Sequence, residues 1–84
     1  MYFVYIFQSL SNYKSYVGYT SKVPGLRLRE HNLSSNEWTS RNKPFKLIYY
    51  ESYYCKKDAI HREKFLKSGQ GNKLVKIIIK SFGV

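Results

Sequence analysis

The sequence predicts a small α+β domain, a mixed sheet covered by helices in the order β-β-α-β-α-α. Three observations lead there. Two short β-branched and aromatic runs, split by turn residues, fill the first twenty positions. A third such run spans Phe45 to Tyr54. Between and after these lie basic stretches with helical spacing, punctuated by Pro, Gly and Asn. With 84 residues, a chain buries only about 60–65% of its unfolded surface, so residues 1–84 read as one domain with one core.

Tyr2 to Phe7 is a continuous apolar run, expected to be buried on both faces. Ser9-Leu10-Ser11-Asn12 is turn chemistry, and Tyr13 to Tyr19 reads as the second strand of an antiparallel hairpin. Gly18 inside it implies a close approach to the backbone. Ser21 is a candidate N-cap and Pro24 suits the first turn of the next helix, while Gly25 argues for a late start. Ser34 to Lys43 has no period and reads as a polar loop. After the Phe45 to Tyr54 strand, Lys56 to Lys67 forms a helix with Ala59, Ile60 and Leu66 as its stripe. Gly69-Gln70-Gly71 breaks the chain, and Asn72 caps a last amphipathic segment with Leu74, Val75, Ile78 and Phe82 on its apolar side. The run Ile77-Ile78-Ile79 leaves an edge strand as the competing reading there.

Fifteen Lys and Arg face five Asp and Glu, a formal charge of +10. A polyanionic partner follows: nucleic acid first, an anionic membrane surface second, a merely soluble basic protein as the plain alternative. One cysteine excludes an internal disulfide and fits a reducing compartment. With only His31 and His61 as companions it cannot build a zinc site. The apolar N-terminus lacks a basic flank and a cleavage site, and no run reaches the ~20 apolar residues of a membrane span. A cytoplasmic, soluble protein with no membrane partner is the expectation.

Two features carry chemistry. Ser15 to Asn32 joins a strand to a basic helix, so Tyr16 on the strand and Arg27 and His31 at helical i, i+4 spacing can converge at one junction. Glu63 falls on the apolar stripe of its helix, between Ala59 and Leu66. A carboxylate there is costly unless it is ion-paired, with Arg62 or Lys67 in reach, hydrogen-bonded, or holding a hard divalent cation. The other carboxylates, Glu30, Glu37, Glu51 and Asp58, read as scattered on loops and wet faces, so a two-metal site is not expected.

Phe3-Val4-Tyr5 and Tyr16-Val17-Gly18, Arg27-x-x-x-His31-Asn32, and Ala59-x-x-Arg62-Glu63-Lys64-x-Leu66-Lys67 together resemble the GIY-YIG endonucleases. The similarity is nearest to small stand-alone bacterial members, themselves similar to the nuclease domain of excinuclease C. It implies a three-stranded antiparallel sheet flanked by helices, and hydrolysis of DNA phosphodiesters with Mg²⁺ or Mn²⁺. Carried over by position, the site would be Tyr5, Tyr16, Arg27, His31 and Glu63, with Asn72 the nearest match to a final polar residue and a helix cap its competing role. Glu63 would hold the metal, Arg27 the phosphate, and Tyr16 would act as general base beside Tyr5, with His31 accepting or positioning the tyrosine proton. Phe3 stands where the first signature has glycine.

Substrate contacts would fall to Lys14, Lys22, Arg29, Arg41, Lys43 and the C-terminal lysines, with Trp38 and Thr39 beside them. Phosphate contacts carry no sequence information, so a nicked or branched structure, rather than a base sequence, is the expected preference. A non-catalytic nucleic-acid-binding module on the same fold, and a basic adaptor that brings a protein partner to DNA, are the alternatives.

Overall fold

A computed structural model describes residues 1–34 and 36–82, with the backbone alone for Trp38 and Thr39. The order is β1 (Tyr2–Ser9), β2 (Ser15–Thr20), α1 (Pro24–Leu33), α2 (Glu37–Asn42), β3 (Phe45–Tyr53), α3 (Lys56–Lys67) and α4 (Gly69–Phe82). The three strands form one sheet in the order β2-β1-β3. Both pairings are antiparallel, so the sheet is not mixed. β1 is central, which explains its apolar run: Val4, Tyr5, Ile6 and Phe7 are all buried.

Successive side chains of a strand point to opposite faces. On one face Val4, Ile6 and Val17 pack with Ala59 and Leu66 of α3 and with Val75 and Ile78 of α4. On the other Tyr5 and Phe7 pack with Tyr16, Phe45, Leu47 and, from α1, Leu28. A register shift in β3 pairs Ile6 with Tyr49 but Phe7 with Leu47. Ile48 is left over as a bulge, and both Ile48 and Tyr49 reach the aliphatic side.

Several sequence expectations are corrected. β2 starts at Ser15 rather than Tyr13, because the turn runs to Tyr13: Tyr13 N donates to Ser9 O (3.0 Å) and Tyr13 takes φ 63°. The Ser9 hydroxyl accepts from the N–H groups of Ser11 and Asn12, closing the turn. Ser21 does not cap α1. Val23 occupies that position without a side-chain bond, and Pro24, with its φ already helical, starts the helix despite Gly25. The expected loop from Ser34 to Lys43 contains the short helix α2, braced by an Arg41–Glu37 pair at i, i+4 (2.6 Å).

The Gly69-Gln70-Gly71 break is only one residue long. Ser68 ends α3, and its hydroxyl accepts from Gly71 N (3.2 Å) to start α4 at Gly69. Asn72 is thus inside the first turn and is not the cap. Gly71 is required by packing, since a Cβ there would overlap the Phe65 carbonyl oxygen. The isoleucine run is helical, with Ile78 buried; Phe82, expected on the apolar side, is mostly exposed. Among the described residues no helix is long and apolar enough to cross a membrane.

Candidate active site

Tyr5 is the centre of the aromatic face. It is 1% exposed, and its ring stacks on Phe7 at 4.2 Å and lies 6.3 Å from that of Tyr16. Its cross-strand partner is Gly18. A Cβ on Gly18 would overlap the Tyr5 hydroxyl, so the absence of a side chain there lets the phenol lie across β2. The close approach read from the sequence is this contact.

Burial pushes the Tyr5 phenol above its ordinary value of 10.0, against the opposing pull of the Arg27 guanidinium. Tyr16 and the charge of Glu63 push with burial. Tyr5 therefore senses Arg27 from α1, Tyr16 from β2 and Glu63 from α3 at once. It stays protonated at neutral pH and can donate a hydrogen bond.

His31 is 4% exposed and sits in an aromatic cage. Ring centroids lie 4.8 Å from Tyr16, 5.3 Å from Phe7 and 4.6 Å from Phe45, the last edge-on. Burial, reinforced by the Arg27 charge, holds its imidazole below the ordinary 6.5. It is neutral at pH 7, and its buried Nε2 has no hydrogen-bond partner among the described residues. The cage is closed by Asn32, whose side chain donates to Phe45 O (3.1 Å) and accepts from Phe45 N (2.7 Å). That pair of bonds imitates a strand neighbour and fixes the end of α1 to the start of β3.

Glu63 emerges from α3 with its side chain only 16% exposed. Lys67 Nζ donates to its Oε2 at 3.3 Å. The ion-pair alternative is thus met by Lys67 and not by Arg62, which points to Glu51. Arg27 keeps a 3.8 Å contact with Glu30, which is bound more closely by Lys22 (2.6 Å).

Asn72 stands apart. It is exposed on α4 and lines a cleft with Lys14, Lys76 and Lys80, not the Tyr5–His31 face. Arg29, Arg41 and Lys43 are exposed at α1, α2 and the link before β3. The side chains of Trp38 and Thr39 lie outside the described residues.

The wet-face reading of Glu51 is corrected. Arg62 donates to both of its oxygens (2.9 and 3.0 Å), and the hydroxyls of Tyr49 and Tyr53 donate at 2.6 Å each. Burial alone would push its carboxyl up, but these bonds outweigh burial and hold it down. Tyr53 is correspondingly pushed up to about 12 by burial and by its bond to Glu51. The network ties α3 to β3 one residue before Glu63. Its sequence signal is the period-two set Tyr49, Glu51, Tyr53, which shares one strand face.

A family model described as the GIY-YIG catalytic domain matches residues 1–75. No curated protein and no solved structure matches the chain.

Proposed function

Because the chain belongs to the GIY-YIG family, whose members are nucleases acting on DNA, we propose that it is a divalent-metal-dependent endonuclease hydrolysing DNA phosphodiester bonds. The observation that carries this reading is the cluster at Tyr5: its buried phenol lies over Gly18, 6.3 Å from the Tyr16 ring on which His31 packs, within the fields of Arg27 and Glu63. A binding module has no use for a shielded carboxylate whose charge acts on the same buried phenol as a guanidinium.

The metal is tested against the donors present. Among the described residues no three His, Cys, Asp or Glu gather, so an all-protein cage does not fit. A Mg²⁺- or Mn²⁺-type ion held by one carboxylate, waters and substrate phosphate does fit. Glu63 supports that, being shielded and carrying one 3.3 Å contact on a single oxygen. Bound there, the ion would supply Lewis-acid polarisation of the scissile phosphate.

The remaining roles belong to the chain. Arg27 offers a rigid fork of donors for phosphate oxygens as charge develops on them. Tyr5, protonated, orients the attacking water or the phosphate. Tyr16 takes the proton of that water. Its own proton needs an acceptor, and His31, neutral and in ring contact, offers an unprotonated imidazole, with burial and the Arg27 charge working against its keeping the proton. Asn72 has no role in this scheme.

Supercoiled-plasmid nicking by the pure protein, with Mg²⁺ or Mn²⁺ against EDTA, tests the reading. Nicking should need the metal, fall to background in Glu63→Ala, and drop about 100-fold in Arg27→Ala. Cleavage unchanged by Glu63→Ala would sink it. Binding with a steep salt dependence but no cutting of any DNA would leave the non-catalytic module.

A further inference from the structure

Glu30, Glu37, Glu51 and Glu63 are each ion-paired, to Lys22 and Arg27, Arg41, Arg62 and Lys67 respectively. Among the described residues most of the cationic surplus therefore has no acidic partner, and part of it gathers at one place. Between the β1–β2 turn and α4 lies an open cleft of about 570 Å³, lined by Tyr13, Lys14, Asn72, Lys76 and Lys80, with Ile79 beside the core and no acidic residue. None of the candidate catalytic residues touches it apart from the displaced Asn72.

Four features say what fits. Lys76 and Lys80 are one helical turn apart, about 6 Å along the axis, a spacing comparable to that of successive phosphates on an extended strand. Lys14 faces them from the turn and enters no ion pair among the described residues. Tyr13 is 61% exposed and offers its ring at the rim. Asn72 adds an amide that both donates and accepts, suited to a base edge or a sugar. Cations along a groove with an accessible aromatic form the composition that binds unpaired nucleotides, because stacking needs a free base face.

Position argues the same way. α4 covers the aliphatic face of the sheet, whereas Tyr5, Tyr16 and His31 lie on the α1 side. The domain measures 31 × 25 × 20 Å. A strand serving both places must pass around the sheet edge within that span. Duplex DNA, with a persistence length of about 150 bp, bends that sharply only at large cost, while a single strand does so freely.

We propose that this cleft binds a single-stranded nucleic-acid segment, with Lys14, Lys76 and Lys80 on its phosphates and Tyr13 stacked on a base. The proposal deepens the nuclease reading, on which it rests, by giving the substrate an unpaired arm beside the bond to be cut.

The test is fluorescence anisotropy of a labelled oligo(dT), and of a blunt duplex of equal length, titrated in EDTA across a salt series. Lys14→Gln/Lys76→Gln/Lys80→Gln should flatten the single-strand salt slope by about 2, at roughly 0.7 per lost phosphate contact. Tyr13→Asn removes the ring at a left-handed position that asparagine tolerates, so the fold is kept. It should weaken oligo(dT) binding about tenfold and leave the blunt duplex within twofold. Unchanged single-strand affinity and slope in both variants would overturn the proposal, as would an equal loss on the duplex. EDTA separates this from catalysis. Variants that bind oligo(dT) normally while the wild type cuts plasmid refute the cleft alone. Weakened oligo(dT) binding with no plasmid cutting by the wild type refutes the nuclease alone.

Discussion

On one face of β1, Val4 and Ile6 meet Val17, Ala59, Leu66, Val75 and Ile78; on the other, Tyr5 and Phe7 meet Tyr16, His31 and Phe45. One strand builds both, by alternation. The first face is aliphatic and fills space. The second is as deeply buried but holds a phenol with a raised pKa and an imidazole nitrogen without a partner among the described residues. Buried polar groups of that kind cost stability. The comparison teaches that depth of burial does not separate core from site here. What separates them is whether the buried groups can titrate: the first face offers none among its buried residues, the second a phenol and an imidazole.

The largest effect should come from the aliphatic face. Leu66→Ala removes a side chain that is 1% exposed at the junction of α3, α4 and the sheet. Urea denaturation should show a loss of about 2–5 kcal/mol, while nicking measured well below the melting point should persist. Lost activity without lost stability would break the division of labour.

Gly18→Ala comes next. The new methyl meets the Tyr5 hydroxyl, and Tyr5, held by Phe7 and Tyr16, has little room to retreat. The expected loss is about 1–3 kcal/mol of stability. Cleavage should fall by more than that loss explains, because the phenol is displaced.

His31→Phe is the smallest and sharpens the contrast most. The folded-state pKa of His31 lies below the ordinary 6.5, so between the two values the unfolded chain binds more protons than the folded one. The contribution is fully present above about pH 6.5 and is lost as pH falls through the folded value. Wild-type melting temperature should therefore decline from pH 7.5 to 5, and the variant's should decline less. At pH 7.5 the variant should be at least as stable as the wild type, since an unpaired nitrogen is replaced by a ring, yet it should cut poorly. Equal pH slopes would refute the assignment.

How much is legible in the sequence follows from the same physics. The strands are legible as local β-branched and aromatic runs, and α3 and the burial of Glu63 as a local helical period. Gly18 is legible because glycine inside a strand signals a close approach. The cap of α1 is not, since Val23 carries no capping group and the helix starts on Pro24 alone. α2 is hidden because five polar residues and a single tryptophan show no apolar period. Asn32 and Glu51 act across long sequence separations, on Phe45 and Arg62, and no local pattern reports such a partner. Its place in a motif groups Asn72 with the site, whereas packing of Gly71 against Phe65 fixes α4, and so Asn72, on the other side.

The central place of β1 also sets an order of events during synthesis. Its pairing with β2 can form once Thr20 has left the ribosome, but β3, the other neighbour, begins only at Phe45. Until then one edge of the most apolar strand in the chain stands open, an invitation to pair with another nascent copy. Tyr5, Tyr16, Arg27 and His31 are all made early, and Glu63 arrives on α3 only after the sheet is complete. In chain order, then, the shielded carboxylate follows the strand that closes the open edge.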